Sequence, residues 1–74
     1  MIAIDDAVQY VRDNKSWSEA EDDYAFDQLE QGRNLPYSIR DQIHDLMEEW
    51  SEENDYPEGW WYDEMDEEEI FLKL

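Results

Sequence analysis

The sequence predicts an all-α fold, a small compact domain of three to four helices spanning residues 1–74, and three observations predict it. The first is SIRDQIHDLMEEWSEEND, where Ile39, Ile43, Leu46, Met47 and Trp50 recur at i, i+4, i+7, i+8 and i+11, the spacing of one buried helix face. The second is punctuation. Ser16 and Ser18 each have a Glu three residues on, at Glu19 and Glu21, and the two Gly and two Pro residues fall between the periodic segments, as caps and turns require. The third is aromatic content: four Trp, five Tyr and two Phe, burying ~150–250 Å² each, can supply a core to a chain small enough to hide only about 60% of its unfolded surface.

The elements follow in order. A first helix is expected over 4–13, with Ile4, Val8 and Val11 on one side and Tyr10 beside them. DNKS interrupts it. SEAEDDYAFDQLEQ reads as the second helix, with Ala25, Phe26 and Leu29 facing the core, Trp17 packing back over the start as a staple, and Gly32 where a left-handed residue ends a helix. For the third helix, Pro36 suits the first helical position while Ser38 with Asp41 also reads as a cap. It should end near Asn54, where YPEG supplies turn chemistry. The last segment, WWYDEMDEEEIFLKL, admits either a short helix capped by Asp63 or a loop running into an IFLKL strand. The helix is favoured, because Glu is depleted in strands.

Charge narrows the function. The net charge is −18 and there is no Cys, so neither disulfides nor thiolate metal sites are available. No apolar run approaches the ~20 residues that span a bilayer, and MIAIDDAV lacks the basic and long apolar regions of a signal peptide. A cytoplasmic protein is expected. Direct contact with nucleic acid or an anionic membrane is disfavoured, since their phosphates repel this chain. A basic partner is its complement. Residues 1–40 hold nine acids against Arg12, Lys15, Arg33 and Arg40, whereas residues 41–74 hold fourteen against Lys73 alone.

Catalysis finds little support. His44 is the single histidine, and with no GxSxG elbow and no Cys nucleophile a triad has nothing to activate. Its neighbours Arg40 and Glu48, at i−4 and i+4, read as a helix-surface ion-pair arrangement. No window meets the EF-hand pattern, and DYPEG puts Pro57 where an oxygen ligand is needed. Two isolated glycines cannot build a phosphate loop. The expectation is a non-enzymatic binding protein with no catalytic residue, metal or cofactor.

What remains is a second stripe in the third helix. Asp41, Asp45, Glu48, Glu49 and Glu52 form a row of like charge, although such neighbours weaken a helix. Five carboxylates over eleven residues cover roughly 17 Å at ~1.5 Å per residue, or about one charge per 4 Å, against one per ~3.4 Å along a strand of B-DNA. A second block, Asp63, Glu64, Asp66, Glu67, Glu68 and Glu69, would add a parallel row if the tail packs beside the third helix. Trp60, Trp61 and Tyr62 cannot all face one core. They serve either as a clasp on it or as an interface anchor.

Carboxylates at phosphate-like spacing on a rigid scaffold specify a DNA mimic. In size and composition the chain resembles the small acidic inhibitors that phages and mobile elements direct against restriction or CRISPR nucleases. That resemblance implies a partner: a basic nucleic-acid-binding protein whose groove the acids occupy. Two other readings stay open. One is an acidic antitoxin or adaptor neutralising one small basic partner. The other is a structural accessory protein, a homodimer included, joined through the Trp/Tyr cluster.

Overall fold

The computed structural model describes residues 3–74. Four α-helices, α1 (Ala3–Asn14), α2 (Glu19–Glu30), α3 (Tyr37–Glu53) and α4 (Glu67–Lys73), are joined by loops and by a 3-10 helix, Trp60–Asp63. No strand occurs among the described residues. The IFLKL segment therefore lies in α4 and its end, not in a sheet.

Helix α1 buries Ile4, Ala7, Val8 and Val11, the i, i+3, i+4, i+7 face of one apolar stripe. Its last turn closes when Asn14 Nδ2 donates to the Tyr10 carbonyl at 2.8 Å. Of the two serines that could cap α2, Ser18 does so. Its Oγ accepts from Glu21 N at 3.2 Å, and Glu21 reaches back to the Ser18 amide. Ser16 serves a different contact, since its amide and hydroxyl both donate to Gln42 Oε1 and tie the loop to α3. Trp17 is buried one position before the cap. It meets the fourth residue of α2 as a staple does, but through a hydrogen bond, indole Nε1 to Asp22 Oδ1 at 3.1 Å.

Gly32 ends α2 at φ +77. Its amide donates to the Leu29 carbonyl and that of Arg33 to Gln28, the paired closure that a left-handed residue permits. Ala25 is the one fully buried residue of α2, and Leu29 is half-buried. Phe26 departs from expectation. It lies 4.9 Å from Phe71, ring centroid to centroid, yet remains 41% exposed, because the apolar stripe of α2 is only about one residue wide.

Helix α3 begins at Tyr37 behind Pro36, whose φ −54 and ψ 141 set an extended entry, and no side chain caps it. Pro36 thus stands just outside the first helical position. Ser38 is inside the helix and does not cap. The carbonyl of Pro36 instead accepts from the Ile39 and Arg40 amides. Ile39, Ile43, Met47 and Ser51 are buried, with Leu46 and Trp50 half-buried beside them. After Asn54, Asp55 adopts φ +61, and Tyr56 N donates to the Ser51 carbonyl at 2.8 Å. Aspartate here does what Gly32 does for α2.

The central element is α3, packed against both α1 and α4. Tyr10 meets Glu49 while Ser16 meets Gln42, so α1 and α3 run antiparallel. Helix α4 is capped by Asp66, which accepts from Glu69 N at 2.9 Å, three residues later than the expected Asp63. The 3-10 helix uses the intervening chain to bury Trp61. At the other end of α4, Arg12 Nη2 donates to the Lys73 carbonyl at 2.7 Å. Ile70 and Phe71 complete the core.

Candidate protein interface

Residues two apart in a helix differ by about 200° around its axis. The acids that follow the α3 core positions by two residues therefore project from the opposite side. Asp41, Asp45, Glu49 and Glu52 are exposed. Glu49 also accepts from the Tyr10 hydroxyl at 2.9 Å. That bond is the first cause raising the Tyr10 pKa above its ordinary value, because a carboxylate acceptor favours the protonated phenol.

Glu48 leaves the row. Half-buried, it turns toward the 3-10 helix, where Oε1 accepts from Gly59 N at 3.1 Å and from Trp61 Nε1 at 2.9 Å. This explains the setting of His44. With Glu48 engaged elsewhere, the imidazole faces the tail, its Nδ1 3.5 Å from Glu67 Oε2 and 3.0 Å from the Tyr62 oxygen. The expected Arg40–His44–Glu48 surface array is replaced by a His44–Tyr62–Glu67 cluster that fastens α3 to α4. The Tyr62 hydroxyl donates to Glu67. Since that hydroxyl turns inward, burial first and the Glu67 bond second push its pKa up to about 12, although the residue as a whole is 44% exposed.

The second acidic block is divided in the same way. Asp63, Glu64 and Glu69 are exposed and Glu68 is half-buried, but Asp66 caps α4 and Glu67 is only 8% exposed. The tail packs beside α3 without presenting all six acids as one outward row. Of the aromatic trio, Trp61 is 0% exposed and Trp60 is half-buried with its indole N–H on Ser51 Oγ. Trp61 thus acts as a clasp and is closed to a partner in this conformation. Trp60 instead joins Trp50 and Tyr56 in an aromatic group with ring centroids 4.6 to 5.9 Å apart.

Two features escape the sequence pattern. Glu19, Asp23, Asp27 and Glu30 form an outward row on α2, at i, i+4, i+8 and i+11 and all exposed. Their spacing repeats that of α3, but the short apolar stripe of α2 draws less notice. The other feature is a cleft of about 430 Å³ between the C-terminal turns of α3 and the loop that follows, lined by Glu48, Ser51, Glu52, Tyr56 and Glu58. It arises only when the loop after Asn54 folds back, a long-range event that helix periodicity does not record.

Among the described residues the one contact between a basic and an acidic side chain within 4 Å is that of His44 with Glu67, and no Lys or Arg of these residues is paired with a carboxylate. The negative field is therefore left largely uncompensated by the chain itself. No group of three or more His, Asp or Glu among the described residues is arranged to hold a metal ion, and no helix of the described residues is long and apolar enough to cross a membrane. Compared with models of protein families, with curated proteins and with solved structures, the chain matches none.

Proposed function

We propose that this protein is a DNA-mimicking inhibitor that occupies the basic groove of a nuclease or another DNA-binding protein. One observation carries the reading: exposed carboxylates recur at helical intervals on the outer faces of α2 and α3, with no Lys or Arg among the described residues paired to any of them. Ordinary solvated helix faces mix signs and gain from i,i+4 pairs. Size also fits. The longest dimension, 36 Å, is about one turn of duplex DNA, roughly 34–36 Å.

The partly exposed Trp50, Tyr56 and Trp60, with Glu52 and Glu58 next to Tyr56, favour a second reading, an adaptor or antitoxin that neutralises one small basic protein through charge plus an apolar anchor. Competition separates the two. Proteins retained on the immobilised chain and eluted by rising salt are titrated with it in the presence of duplex DNA. A mimic and DNA exclude each other from one groove, whereas an adaptor binds whether or not the partner holds DNA.

A further inference from the structure

Helix α2 is secured differently from the other three. Among the described residues α1 reaches α3 through Tyr10 on Glu49 and α4 through Arg12 on the Lys73 carbonyl, and α3 meets α4 through His44 and Glu67. No hydrogen bond or ion pair of these residues joins α2 to any of them. Its side chains bond instead to Trp17, Ser18 and Gln31, its immediate neighbours in the chain. The hold on the core is apolar and narrow: Ala25 enclosed, Leu29 half-buried, and the Phe26 ring against Phe71.

Charge opposes that hold. Helix α2 carries six acids and no Lys or Arg in twelve residues, Glu30 stands at its own electronegative carbonyl end, and the chain it lies on has net charge −18. Such repulsion reaches about 30 Å at 0.01 M salt and about 10 Å at 0.1 M. The force lifting α2 therefore depends on ionic strength far more than the contacts holding it do. Both ends of the segment are pinned, since Trp17 and Leu35 are buried on either side and the Trp17 indole holds Asp22 in the first turn. The capping box at Ser18 and the closure at Gly32 are local, so α2 stays helical when it leaves the core. Gly32, at φ +77 with open space where a side chain would stand, leaves the chain room to turn.

We propose that α2 is a charge-operated flap: it lifts from Phe71 about its Trp17 end at low ionic strength and closes when cations screen its acids. A basic groove would screen them as salt does, a consequence that rests on the function proposed above; the flap itself does not.

The test is amide hydrogen exchange on the full-length chain, labelled with nitrogen-15, at about 0.01 M and about 0.1 M sodium chloride and a single pH. At low salt the amides of residues 26–30 are expected to be about tenfold or more less protected than those of Ile43 and Met47. Added salt should raise their protection about threefold or more relative to the α3 amides. Asp23→Asn with Asp27→Asn, which keeps an oxygen for Gln31, should reproduce the effect of salt at the lower concentration. Phe26→Ala should raise α2 exchange about tenfold while Ile43 and Met47 change less than about twofold. Exchange of α2 and α3 in step at both salt concentrations, α2 exchange indifferent to salt or to the paired amides, or Phe26→Ala releasing α3 as much as α2 would overturn the proposal. Because no partner or DNA enters, the flap can fail while the mimic reading stands, and the reverse.

Discussion

Glu48 and Glu52 lie four residues apart on one helix and do opposite work. Glu48 accepts from the Gly59 amide and the Trp61 indole; the Glu52 side chain is exposed at the mouth of the cleft. Removing an acceptor from a partly buried donor costs about 1–3 kcal/mol. Glu48→Ala is therefore expected to lower stability by that amount in urea unfolding, while Glu52→Ala stays within about 0.5 kcal/mol of the parent. Tyr62 supplies a pH signature. Its folded pKa of about 12 exceeds the ordinary value of 10.0, so its contribution is complete below pH 10 and is lost as pH rises toward 12. Stability should fall across that window, and Tyr62→Phe should flatten part of the fall in a pH series of melting temperatures.

Helices α2 and α3 differ in what holds them. The α3 core positions Ile39, Ile43 and Met47 are fully enclosed, and Ile43→Ala is expected to cost about 2–5 kcal/mol, enough to unfold so small a domain by circular dichroism. Asp55 ends α3 in the left-handed region at φ +61. A side chain is disfavoured there and glycine is not, so Asp55→Gly should raise stability by up to about 1 kcal/mol. Most of this architecture is legible in the sequence. Ser18 with Glu21, Gly32, and the Ile39 to Trp50 spacing mark helix start, stop and buried face through local interactions alone. The tail is less legible. Whether Glu67 faces water or the core depends on His44 in α3 and on Tyr62 in the 3-10 helix, and no local spacing encodes that meeting. The same applies to Glu48, whose departure from the acidic row is decided by Gly59 and Trp61.

For the whole molecule, charge bears on stability and, in the function proposed above, on recognition. With net charge −18 and no Lys or Arg pair among the described residues to offset it, the folded chain repels itself. Added sodium chloride should raise the melting temperature as the Debye length shortens from about 30 Å at 0.01 M to about 10 Å at 0.1 M. The same field, presented by the outer faces of α2 and α3, is what a basic groove would meet. Asp41→Asn, Asp45→Asn and Glu49→Gln together remove three of those charges while leaving Glu48 on its turn and an amide oxygen for Tyr10. The most direct measurement is a titration of this triple variant and the parent against the salt-eluted partner, at two salt concentrations, with and without duplex DNA. Equal helix content, at least tenfold (about 1.4 kcal/mol) weaker binding by the variant, a shallower salt dependence, and displacement of the parent by DNA are expected. Parent and variant binding alike, or DNA and the protein held by the partner together, would contradict the proposed function.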